Sequence, residues 1–315
     1  MSKGLLTLLK TLMILISGLA GFAHGEIYRW VDENGKVHFG DKRNVVTSSA
    51  QDAEQVQVRT TVSQWQPFDI SVKAVNVELS EEELKGIRQG VIDVYRFFDK
   101  VMHFDFHKTV PVKVHLFGSE AEYLREVDRI SGYNARNTLG VYLPDQHSIY
   151  AFLQDERHKT FATIRHEVSH AITHTLSDYA PAWLNEGLAE QMETITGSDS
   201  GLVIGRHADN HRYFSESSQK ITLDQFLEMQ SRDWRHQNKR NYIYQCMAGE
   251  LVYFLLSSAN GRAFLTRLLH EYKRGSQVLS RYLVNKHYIG SNTGLQVGWN
   301  AWLRQGGLGQ ITLDI

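Results

Sequence analysis

Cysteine is almost missing: Cys246 is the single one in 315 residues. One thiol excludes an intramolecular disulfide framework and a cluster of thiolate metal ligands, so histidines and carboxylates must hold any bound metal. Proline is scarce at 4 residues, and 24 glycines fall far below the one-third of a collagen-like chain. Neither charge sign is in excess: Lys and Arg total 34, Asp and Glu 35, for a net charge of -1. That balance removes the global basic field that marks nucleic-acid and anionic-lipid binders. An uninterrupted apolar run of about 20 residues, the length of a bilayer span, is also lacking, because Lys10 cuts the leading one short. What is present is a globular composition, 42% hydrophobic, with enough chain for one large domain or two modest ones.

Residues 1–25 read as a secretory signal peptide. Lys3 and Lys10 supply the positive region, residues 11–20 the apolar core, and small residues follow. Cleavage is expected after Ala23 or Gly25, leaving no stable membrane insertion, and no cysteine near that point could carry a lipid anchor. Residues 26–44 form a compact hairpin, two β-prone runs around an Asn-Gly turn. Its pattern IYRWVDENGKVHFGDK resembles a short N-terminal module of unknown function in many exported proteobacterial proteins, and the resemblance implies a Gram-negative periplasm. A polar linker is expected over 45–66.

From residue 67 the pattern alternates. A strand over 68–77 precedes Ser80, which with Glu83 forms a capping box for a helix running to about Met102. A strand over 110–117 and a short helix from Ser119 follow, then strands over 139–143 and 148–153 joined by a Pro-Asp-Gln turn. Helices are expected over 159–176 and 181–195. Beyond Gly197 the chain reads as largely helical, with segments near 222–230, 242–257, 261–273, 276–286 and 294–304.

Residues 166–170 read HEVSH. On a helix, His166 and His170 lie four residues apart on one face, so both imidazoles can reach one ion, with Glu167 beside them to meet a water. Phe161, Ile164, Val168, Ala171 and Ile172 form an apolar stripe on another face. A catalytic zinc site needs a third protein ligand. His174 cannot share an ion with His166, since eight residues span roughly 12 Å of helix. The longer metzincin pattern is absent. Downstream, residues 181–190 read PAWLNEGLAE, where Pro181 suits a helix start and Glu186 and Glu190 share a face. The short connection makes the two helices neighbours.

HEVSH followed by WLNEGLAE resembles the gluzincin metallopeptidases, particularly peptidase-MA-like families with a WLxEGxAE motif. The resemblance implies that His166, His170 and Glu186 hold one Zn²⁺, that Glu167 is the general base and that Glu190 orients a ligand histidine. Fifteen residues separate His170 from Glu186, fewer than in aminopeptidase-type and thermolysin-type gluzincins. The implied fold is α+β, zincin- or gluzincin-like: a small mixed sheet with an antiparallel edge strand, the HExxH helix and the glutamate helix over 67–196, then a helical C-terminal subdomain over 197–315. The edge strand, at Gly140, Val141 and Tyr142, would line the substrate. Gluzincins add a Tyr or His as oxyanion donor, and Tyr244 fits that place best, with Tyr242 and His236 as alternatives.

The function this implies is an exported zinc metallopeptidase that hydrolyses peptides or proteins with water activated by zinc and Glu167. The competing readings are a non-catalytic zincin-fold envelope binding or scaffold protein and a zinc hydrolase of a non-peptide amide. Cys246 reads as a buried thiol on an apolar helix.

Overall fold

A computed structural model describes residues 27–31, 37–40, 54–56, 70–104, 111–198, 200–217, 221–230, 233–234 and 242–315. The expected signal peptide and His236 lie outside these. The chain divides into two compact units, residues 1–65 and 66–315.

In the first unit β1 (Ile27–Val31) pairs antiparallel with β2 (Val37–Gly40), as the Asn-Gly turn predicts. A third strand, β3 (Glu54–Val56), pairs with the other side of β1. The stretch expected to be a linker therefore contains a strand of this sheet, three residues long and too short for a periodic signal.

The second unit is α+β. Its first strand, β4 (Ile70–Val75), leads to α1 (Glu81–Arg96), whose capping box forms as expected: Ser80 Oγ accepts from Glu83 N, and the Glu83 carboxylate accepts from Ser80 N. The helix read as continuous to Met102 changes at Phe97 into a π turn, Phe97–Val101. Phe97 and Phe98 are adjacent and both fully buried, and the wider turn lets both rings face inward. Next come β5 (Val112–Phe117), α2 (Glu120–Ser131), β6 (Gly140–Leu143) and β7 (Ser148–Phe152). They complete a four-stranded sheet in the order β4-β5-β7-β6, with β4, β5 and β7 parallel and β6 an antiparallel edge.

Alternation along β5 sorts the core. Val112, Val114 and Leu116 face the main core with Ile87, Val91 and Val94 of α1, while Phe117 faces a smaller cluster with Tyr123 and Val127 of α2. Each such burial contributes about 1.5–3 kcal/mol.

Two helices follow, α3 (Arg157–Leu176) and α4 (Ala182–Glu193). Ile164, Val168, Ala171 and Ile172 of α3 are buried, as the apolar stripe predicts. Thr173 Oγ1 donates to Asn185 Oδ1 at 2.5 Å and ties α3 to α4. Trp183 Nε1 donates to Ser280 Oγ at 2.8 Å and anchors α4 to the helical region beyond.

That region is not purely helical. A second sheet is formed by β8 (Ile195–Ser198), β9 (Gly201–Gly205) and, far along the chain, β10 (Gln310–Asp314), in the order β10-β9-β8. The expected division at residue 196 thus cuts through β8, and the second helix ends at Glu193 rather than 195. Between β9 and β10 lie α5 (Ala208–Glu216), α6 (Leu223–Glu228), α7 (Ile243–Leu256), α8 (Ala259–Lys273), α9 (Ser280–His287) and α10 (Ser291–Gln305). All but α5 match an expected segment. Gly187 permits a close helix contact: a Cβ there would lie 2.5 Å from Val252 Cγ2 and 2.6 Å from the Ala248 carbonyl oxygen of α7. Among the described residues, no helix is long and apolar enough to cross a membrane.

Candidate metal centre

The middle of α3 is buried on every side, so the face opposite the apolar stripe is not a solvated one. His166 is 8% exposed and Glu167 7%. What covers that face is α4. From two directions, His166 Nε2 and His170 Nε2 approach the same carboxylate oxygen, Glu186 Oε2, at 3.6 and 3.7 Å. The two imidazole rings stand nearly perpendicular with centroids 4.8 Å apart.

Those separations decide how the trio is read. A direct histidine–carboxylate hydrogen bond closes to 2.8 Å, as between His166 Nδ1 and Glu193 Oε1. Ligands about 2.0–2.1 Å from a tetrahedral zinc lie about 3.3 Å from one another. The three atoms lie within 4.8 Å of one another and form a group that could hold a metal ion. Two imidazoles and a carboxylate also suit zinc chemically, and three protein ligands leave a position open. His174 takes no part, as helix geometry requires: its Nδ1 is 3.6 Å from Asp178 and its ring lies 6.1 Å from that of Tyr142.

Glu167 is turned toward the edge strand. Its Oε2 accepts from Tyr142 N at 2.8 Å. A Cβ on Gly140 would lie 2.8 Å from Thr163 Cγ2 and 3.2 Å from Glu167 Cγ, so a glycine is what lets β6 rest directly on α3. Of the edge positions expected to meet substrate, Tyr142 has its amide engaged by Glu167, Gly140 packs on the helix, and Val141 pairs with Tyr150 across the ladder.

Behind His166 the expected arrangement is corrected. Glu190 Oε1 stands 3.8 Å from His166 Nδ1, and the carboxylate that bonds this nitrogen is Glu193. Glu190 is occupied elsewhere: Asn210 Nδ2 donates to its Oε2 at 2.6 Å and Gln245 Nε2 to its Oε1 at 2.7 Å. Glu193 shares the face of the other two, since Glu186, Glu190 and Glu193 fall at i, i+4 and i+7. The backbone beneath it is clamped by Arg165, whose Nε donates to the Met192 carbonyl at 3.0 Å and whose second guanidinium nitrogen donates to that of Glu193. His207, also absent from the sequence reading, reaches Glu193 Oε2 with Nε2 at 3.1 Å.

The charges are distributed accordingly. Burial would raise the Glu193 carboxyl, but hydrogen bonds from His166 and His207 outweigh it and hold the group well below the usual carboxylate range. Burial raises Glu190, and the charge of Glu193 adds to the effect. Burial also raises Glu167, only partly offset by His170 and His166. For His166, burial opposes the charged ring, yet Glu186 and Glu193 carry it well above the ordinary histidine value while no metal is bound. Glu186 is lowered: burial acts against this, and His170 and His166 prevail.

Tyr244 is not turned to this cluster. Its ring packs 6.3 Å from Phe226 and 6.1 Å from Trp234, a core position at the start of α7. Tyr242 donates its hydroxyl to the Asn137 carbonyl at 3.1 Å, in the loop before β6. Tyr133 in the same loop feels the site carboxylates: burial raises its phenol, and Glu167 and Glu186 add to the shift. Cys246 is buried and its thiol is pushed up to about 12, mainly by that burial, which makes it an inert core thiol.

Among known families, the one described as a domain of unknown function (DUF4124) matches residues 14–67. The match covers the hairpin expected to be an N-terminal module, extends it on both sides, and falls almost wholly outside the unit that carries the centre. No curated protein matches the chain.

Proposed function

We propose that this chain is an exported zinc-dependent peptidase of the gluzincin kind, with His166, His170 and Glu186 as metal ligands and Glu167 as general base. The observation that carries the reading is the approach of two imidazole nitrogens to one Glu186 oxygen at co-ligand spacing, with a buried glutamate beside them. The mixed sheet with its antiparallel edge lying on the motif helix supports the zincin reading of the fold.

Zinc held there would supply Lewis acidity and lower the pKa of water to about 7. The protein's own part begins at Glu167, which takes the proton of the attacking water and returns it to the leaving amine. A carboxyl raised by burial suits that exchange, because a base works best with its pKa near the operating pH. The Tyr142 amide fixes one Glu167 oxygen and leaves the other to carry the proton. A developing oxyanion needs a further donor, and Tyr133, in the loop before β6, is tested for it beside Tyr244. Metal analysis and cleavage of a mixed peptide library test the reading. Zinc binding without peptide cleavage, but with turnover of other amides, would instead make the protein a different hydrolase.

Tyr133→Phe should lower kcat and kcat/KM together by roughly 10²–10³, as loss of an oxyanion donor does, with zinc content unchanged. Tyr244→Phe should leave kcat near wild type. The reverse pattern would return the role to Tyr244. Export is checked at the N terminus: mass spectrometry of the mature protein from the periplasm should find it between His24 and Glu26. Recovery of an intact Met1 species in the membrane fraction would argue for an anchor.

A further inference from the structure

We infer that Glu193 and His207 act as one positioning pair for His166, so that a residue at the exit of the second sheet sets which nitrogen of His166 faces the metal. The inference rests on the zinc reading above for its purpose and on hydrogen-bond geometry for its parts. Glu193 Oε1 lies 2.8 Å from His166 Nδ1. An ionised carboxylate only accepts, so Nδ1 carries a proton, and Nε2, on the Glu186 side, is the nitrogen left to offer its lone pair to a metal.

The other Glu193 oxygen is 3.1 Å from His207 Nε2, and His207 Nδ1 accepts the Asn210 amide at 3.4 Å. That second bond places the His207 proton on Nε2, directed at Glu193. His207 is itself fixed as the N-cap of α5, one residue after Arg206, whose amide bonds the Gly309 carbonyl at 3.0 Å. The Glu193 carboxylate is therefore set from both ends, by His166 at one oxygen and His207 at the other. Glu190 has no such relation to the ring, with both oxygens held by Asn210 and Gln245.

Zinc affinity of the full chain, by competition with a chelator, tests the pair. Glu193→Ala should weaken binding by about 10–100-fold, the usual effect of losing the partner of a ligand histidine. His207→Ala should weaken it less, and Glu190→Ala less than Glu193→Ala. The double variant should match Glu193→Ala alone, because His207 acts only through Glu193. His207→Gln keeps a donor amide and should recover most of the loss. In the cobalt-substituted protein, the d–d spectrum should shift in Glu193→Ala and His207→Ala but not in Glu190→Ala. Additive losses, or a Glu190→Ala effect equal to that of Glu193→Ala, would overturn the pairing. A wild type that takes up no zinc would defeat the zinc reading instead. The pair would then be judged in the metal-free protein by the ring ¹⁵N resonances of His166, which should move in His207→Ala and less in His207→Gln; resonances unmoved in His207→Ala would overturn it.

Discussion

Glu167→Gln should keep its zinc and its fold while turnover falls by about 10²–10⁴ or more, the usual worth of a positioned general base. The amide matches the carboxylate in shape and still offers an oxygen to Tyr142 N, the contact that seats the side chain under the edge strand at 2.8 Å. What it cannot do is accept and hold a proton. Binding and chemistry should separate cleanly: a substrate peptide should associate with comparable affinity and remain intact. Because the glutamate is 7% exposed, bulk water does not readily replace it. A Glu167→Gln protein that cleaves at the wild-type rate would show that another base does the work.

Removal of a ligand should have the other large effect. The wild type should bind one zinc per chain, and His166→Ala, His170→Ala or Glu186→Ala should each reduce that sharply, measured by metal analysis after dialysis. Each loss leaves two donors where zinc takes three from the protein. Full metal retention by Glu186→Ala would remove it from the ligand set. Loading also has a proton signature. Metal-free His166 is held in its charged form by Glu186 and Glu193, after the opposing effect of burial, whereas zinc takes only the neutral ring. Zinc uptake near pH 7 should therefore release a proton, and affinity should fall as the pH is lowered. Calorimetry in buffers of different ionisation enthalpy measures the release, and a buffer-independent heat would contradict it.

The parts of this centre that the sequence declares are those with local signals. His166, Glu167 and His170 lie within one helical turn and a half, and their spacing alone brings them to one face. Glu186 follows from the short connection between α3 and α4, and the antiparallel edge strand from the turn at 144–146. The helix cap at Ser80 is equally local.

What was not legible depends on partners distant in sequence. Glu190 and Glu193 look alike on the helix, and only Asn210, Gln245 and His207 divide their roles. Tyr244 begins its helix as an oxyanion donor would, yet Phe226 and Trp234, from other segments, claim its ring. The second sheet escaped because its strands are four or five residues long and β10 is separated from β9 by six described helices.

That last pairing sets an order of events as the chain is made. Gly205 meets Gln310 across the β9–β10 ladder, and the next residue after β9, Arg206, bonds back to Gly309. The ribosome therefore completes the HExxH helix, the glutamate helix and His207 long before it makes the strand that pins them. A contact of such sequence separation closes late in folding, since the intervening loop must be organised first. Until then the nascent chain carries its donor residues without the fixed wall behind His166. On the zinc reading, a half-made polypeptide would thus be a poor competitor for the metal until the strand at 310–314 has joined its sheet.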